Sequence, residues 1–77
     1  MSQPKMKRLA QLSKVSKTRG LMLWTFWENT VDAFKKPFVA TQIDGFGNTR
    51  VFEYATKDAM REGYRHLRDD WGYVAVN

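Results

Sequence analysis

Seventy-seven residues make one domain, and a chain this short buries only about 60–65% of the surface its unfolded form exposes, so its core is small. The absence of cysteine excludes a disulfide framework and a thiolate metal site and fits a reducing, cytoplasmic setting. The net charge of +5 is unevenly spread, because residues 1–20 hold six bases and no acid while residues 21–77 hold seven bases against eight acids.

That division sets the expected organisation: a basic flexible arm over 1–20 and a single domain over 21–77. Lys5, Lys7, Arg8, Lys14, Lys17 and Arg19 are the candidate polyanion contacts, since an acid-free basic terminus on a near-neutral body is an electrostatic handle for RNA, DNA or an anionic membrane. Met6, Leu9, Leu12 and Val15 recur every three residues and drift around a helix, which predicts an arm unstructured until bound. The plain alternative is a solubilising, frayed terminus without a partner. As an address the arm fits poorly: it is acid-free and carries Ser2, Ser13 and Ser16, but lysine outnumbers arginine, and no small-residue cleavage pattern follows an apolar run. Nothing approaches the ~20 apolar residues of a membrane helix.

Between Leu21 and Lys36 two readings compete. As a helix, Trp24, Trp27, Val31 and Phe34 share one face, Lys35 and Lys36 complement the C-terminal dipole, and Pro37 stops it. As a strand, LMLWTFWE is an acceptable aromatic-rich run. The helix is preferred because the spacing persists to Phe34. Either way, Leu21, Leu23, Trp24, Phe26 and Trp27 exceed what one small sheet covers, so they form a candidate apolar docking surface for a partner or a second copy.

From Pro37 onward the signals are sharper. Val39, Thr41 and Ile43, then Val51, Glu53 and Ala55, alternate with their neighbours across a turn containing Gly45, Gly47 and Asn48, which predicts an antiparallel hairpin. Thr56 caps a helix whose Ala59, Met60, Gly63, Tyr64 and Leu67 make an apolar stripe. Gly63, on that inner face, costs about 1 kcal/mol relative to Ala, a sign either of close approach to the sheet or of plain tolerance. Tyr73–Val76 reads as a last short strand. The expected fold class is therefore α+β: arm, then α-β-β-α-β, with a three-stranded, mostly antiparallel sheet packed against helices.

Chemistry is hard to find. His66 is the only histidine, flanked at four residues by Glu62 and Asp70, and a surface pair with Glu62 is the expectation rather than a metal site. The turn Gly45-Phe46-Gly47-Asn48 lacks phosphate-loop spacing. No catalytic residue, metal or cofactor is expected. Lys57, Arg61, Arg65 and Arg68 form a basic outer stripe on the second helix, which either meets a row of phosphates or is balanced by Asp58, Glu62 and Asp69.

The hairpin and helix over Phe38–Leu67 resemble the arm-type DNA-binding domains of tyrosine recombinases, which implies a sheet inserted in the major groove; here the strands offer only Arg50 against Asp44 and Glu53. The element order is also similar to small phage-encoded inhibitors of host enzymes, which implies docking on a larger protein. The sequence expectation is thus a small, non-enzymatic, phage or mobile-element type accessory or inhibitor protein acting on a nucleic-acid-handling complex. The alternatives are direct DNA or RNA binding through the arm and helix stripe, and membrane-surface association.

Overall fold

The computed structural model describes residues 6–29 and 36–76. Five strands and one helix follow in the order β1 (Lys7–Ser16), β2 (Gly20–Glu28), β3 (Phe38–Ile43), β4 (Thr49–Tyr54), α1 (Lys57–Asp69) and β5 (Val74–Ala75). The strands form one antiparallel sheet in the order β4-β3-β2-β1-β5. The first four run as a meander, and α1 carries the chain across one face so that β5 pairs at the opposite edge.

This overturns the expected three-stranded sheet with helices at three points. The basic arm is not free: its residues 7–16 are β1, paired along their length with β2. The helix expected from Leu21 is the central strand β2, and Val31, Phe34 and Lys35, which prolonged its spacing, lie outside the described residues, as does Lys5. The last strand joins the sheet beside β1 rather than beside the hairpin.

The first two corrections have a physical reason in the side-chain pattern. β2 is paired on both sides and apolar on both faces, with Met22, Trp24 and Phe26 towards the helix and Leu21, Leu23 and Trp27 away from it. An internal strand of this kind reads as a continuous apolar run, which periodicity alone does not separate from a helix. In β1 the three-residue spacing comes from a bulge: register advances two residues from Arg8 to Ala10 against one step from Trp27 to Phe26. Leu9 is the extra residue, so Leu9, Ala10 and Leu12 all pack towards the helix while Val15 falls on the other face.

The elements β3, β4 and α1 occupy the segments where alternation and the capped stripe are strongest. Thr56 Oγ1 accepts from the Ala59 N–H at 3.1 Å, satisfying one orphan donor of the first turn. Met60 enters the core with Leu12, Trp24, Phe26, Ala40 and Tyr73, and Tyr64 and Leu67 pack against it. Phe26 meets Tyr64 edge-on at 5.5 Å and Trp24 stacks near Phe52 at 5.4 Å between ring centroids. The inner position of Gly63 reflects a close approach, since a Cβ there would lie 2.7 Å from Tyr54 Oη.

Candidate functional site: an aromatic, basic cleft

Helix α1 covers the middle of its face and leaves the end nearest the β1–β2 and β3–β4 turns open. In register across that end run Leu12, Trp24, Gln42 and Arg50, then Lys14 opposite Met22. Period 2 aims all six side chains to the helix side. Of these, Lys14, Met22, Trp24, Gln42 and Arg50 floor an open cleft of about 800 Å³, walled by His66 and Leu67 from the end of α1 and by Trp71 and Tyr73 beyond it, while Leu12 is buried below.

Among the described residues, four cations line this cleft, Lys14, Lys17, Arg19 and Arg50, and no carboxylate does. Among the described residues none of the four forms an ion pair. Lys14 Nζ donates to the Trp71 carbonyl at 2.6 Å and stands 5.7 Å from the centre of the Tyr73 ring. Phe52 and Trp71 present 43% and 56% of their surfaces to solvent, whereas Trp24 and Tyr73 are buried beneath them.

The two turns that carry Arg19 and the β3–β4 loop are held together by backbone. The Gly45 N–H donates to the Arg19 carbonyl at 2.8 Å, and a Cβ on Gly45 would stand 2.6 Å from that same oxygen. Only glycine allows this approach. Gly47, at φ 86°, takes the left-handed conformation the reversal needs.

Asp44 organises the second turn. Its carboxylate accepts from the Phe46 N–H at 2.9 Å, the Asn48 N–H at 3.0 Å and Asn48 Nδ2 at 3.1 Å. Partial desolvation pushes its pKa up, but the bonds from Asn48 and Phe46, with the nearby Arg19 charge, outweigh it and hold the carboxyl below its ordinary value. The loop thereby displays Phe46, 73% exposed, over a second hollow of about 490 Å³ that shares Arg19, Gln42 and Arg50 with the cleft.

At the opposite wall, His66 Nδ1 pairs with Asp70 at 2.5 Å and His66 Nε2 accepts from Trp71 Nε1 at 3.0 Å. The partner is Asp70, not Glu62 as the sequence suggested, because Glu62 is bonded to Arg65 at 3.0 Å. The Trp71 ring is thus fixed by the helix end, and its backbone by Lys14.

The sequence-predicted groups therefore separate. Lys14, Lys17 and Arg19 converge on the cleft, while Lys7 and Arg8 sit at the far end of β1, beside Glu28 and Trp27. On the outer side of α1, Lys57 and Arg61 are exposed, Arg65 is paired with Glu62, and Arg68 is bonded to Asp69 at 3.0 Å, so half the stripe is charge-balanced. Of the apolar docking set, Trp24 and Phe26 are core residues under the helix, because they alternate with Leu21, Leu23 and Trp27 on the opposite face, where Leu21 is exposed while Thr25 and Val39 are buried. There Trp27 Nε1 donates to Thr41 Oγ1 at 3.0 Å, and Gln11 Nε2 to Thr25 Oγ1 at 3.1 Å.

Sequence reasoning missed Arg50, Phe52, Trp71 and Tyr73 as site residues. The alternation that puts Arg50 and Phe52 on one side of a strand was visible; their meeting with Lys14 and Trp71 depends on sheet order, for which no local signal exists. Among the described residues no helix is long and apolar enough to cross a membrane. No protein-family model, curated protein or solved structure matches this chain.

Proposed function

We propose that the chain is a non-enzymatic binder of single-stranded nucleic acid, and that the cleft holds the strand. The observation that carries this reading is the lining: among the described residues, four cations without an ion pair, no carboxylate, and two half-exposed aromatic rings within one open cleft. Single strands are held by this combination, a positive groove that follows the backbone and flat rings on which bases stack. The narrow end of one small sheet, closed by a helix terminus, suits a flexible strand better than a rigid duplex. A reducing, cytoplasmic setting fits the cysteine-free composition.

Salt dependence of binding to a short oligonucleotide tests it. Four phosphates neutralised on a single strand give a slope of about −3 in log K against log salt, and loss of one cation flattens it by about 0.7. Arg50→Ala and Arg19→Ala should each do so, whereas Arg65→Ala, on the paired side of α1, should not. Equal effects at all three positions would refute the cleft as the binding site.

A second reading, docking on a larger protein in the manner of an accessory or inhibitor protein, is favoured by the turn end of the sheet face away from the helix. Val15 is 78% and Leu21 54% exposed there, and Leu23 and Ile43 pair beside them. Leu21→Asp with Ile43→Asp should leave oligonucleotide binding unchanged and abolish capture of a protein partner if that face is used.

A further inference from the structure

Strand β4 is an edge of the sheet, six residues long, and its order Thr-Arg-Val-Phe-Glu-Tyr holds no proline, glycine or lysine. Natural edges are usually blunted by proline, by lysine and other charged side chains or by a bulge; the charges here are one Arg50 and one Glu53, of opposite sign. The ladder identifies which backbone groups are left over. The Asp44 N–H donates to the Asn48 carbonyl at 3.1 Å, which makes that pair hydrogen-bonded. Bonded and non-bonded pairs alternate in an antiparallel ladder. Arg50, Phe52 and Tyr54 therefore bond inward to Gln42, Ala40 and Phe38. On β3's other side, Asn29 N–H donates to the Pro37 carbonyl at 2.8 Å, which fixes the same alternation independently. The N–H and C=O groups of Thr49, Val51 and Glu53 consequently face outward.

We infer that two copies of the chain pair edge to edge through β4, antiparallel about a two-fold axis at Val51, and that the paired edges join their two clefts. The occupant is a second copy because this edge is complementary to itself. With Val51 opposite Val51, Thr49 meets Glu53 on both sides of the axis. All three outward residues of each strand then exchange both of their bonds, six in total by the alternation rule. Arg50 comes opposite the second copy's Phe52, a cation beside a ring, and no like charges face each other. A two-fold axis perpendicular to the sheet keeps both helices on the same side. Because Arg50 and Phe52 line the cleft, each copy then contributes both residues to the seam, and the two clefts run into one track. The pairing rests on strand geometry alone; only its consequence for a longer strand rests on the cleft reading.

Cysteine scanning tests the register in the full chain, which has no cysteine of its own. Residues in a bonded antiparallel pair lie about 5.5 Å apart at Cα, within disulfide reach. Val51→Cys should therefore give covalent dimer under mild oxidation. Thr49→Cys or Glu53→Cys alone should not, because each sits about 14 Å along the strand from its own copy; the two together should. Cross-linking that ignores this order, or a monomer by light scattering at every concentration, overturns the pairing and leaves the edge for a strand of another protein.

A second variant makes the test independent of thiol chemistry. Val51→Pro removes an outward N–H without touching the β3 ladder, so it should be a folded monomer by circular dichroism. A persistent dimer overturns the inference. The monomer should still bind an oligonucleotide that fills one cleft, and lose roughly tenfold or more for one that spans two. If the wild-type chain dimerises with the predicted register but binds no oligonucleotide, the pairing stands and the cleft reading falls.

Discussion

Replacing Gly45 with alanine is the sharpest probe of how the cleft is built. The new Cβ would stand 2.6 Å from the Arg19 carbonyl oxygen and 3.2 Å from Gly20 Cα. Both contacts are to backbone, so no rotamer change relieves them. Reaching an ordinary 3.4 Å contact requires the two turns to part by about 0.8 Å, enough to break the 2.8 Å Gly45–Arg19 hydrogen bond. The lost bond costs about 0.5–1.5 kcal/mol and the overpacking about 1–3 kcal/mol. The stiffer unfolded chain offsets about 0.4–1 kcal/mol of this. A net loss of about 2 kcal/mol is expected, or roughly 8–16 °C in Tm for a domain of this size. Urea titration followed by tryptophan fluorescence measures the stability. Oligonucleotide titration should show a weaker, less salt-dependent complex, because Arg19 moves away from Arg50. An alanine variant as stable as the wild type, with an unchanged salt slope, would refute the backbone lock.

Gly63→Ala should fail to deliver the ~1 kcal/mol that helix propensity promises, because Tyr54 Oη occupies the space; in a Tyr54→Phe background the gain should return, a favourable coupling readable in a double-mutant cycle by urea denaturation. Trp71→Ala should weaken oligonucleotide binding by about 1–3 kcal/mol in fluorescence anisotropy, and Trp71→Phe should recover part of it. Asp44 has a lowered pKa, so its stabilisation is present above the ordinary carboxylate range and is lost as pH falls through its folded value. The acid limb of the stability profile should therefore be shallower in Asp44→Asn. Burial raises the pKa of Tyr54, so its contribution is complete below pH 10 and is lost as pH rises through the folded value; Tyr54→Phe should remove that alkaline loss.

Legibility in the sequence followed how local each signal was. Thr56, the glycine turn and the alternating strands around it act within a few residues, and the hairpin and α1 stand where those signals fall. The first half failed because its determinants are not local. β2 is apolar on both faces since it lies inside a sheet, and the spacing of Leu9, Leu12 and Val15 is set by a bulge that only the register with β2 reveals. The cationic character of residues 14–19 was visible from composition. Its destination was not, because Lys14 and Arg19 reach Arg50 only through sheet order and the Gly45 contact. Trp71 stands past the end of the helix, outside any local pattern, yet its indole bond to His66 makes it a cleft wall.

Nuclear magnetic resonance of the isotopically labelled full chain, titrated with a short single-stranded oligonucleotide, tests the central claim most directly. The account predicts that the Trp71 indole signal and the amides of Lys14–Arg19, Arg50–Phe52 and His66–Tyr73 shift together, while the outer side of α1 around Arg61 and Arg65 stays still. Shifts confined to Leu21, Leu23, Ile43 and their neighbours on the uncovered face, or to the outer side of α1, would contradict it.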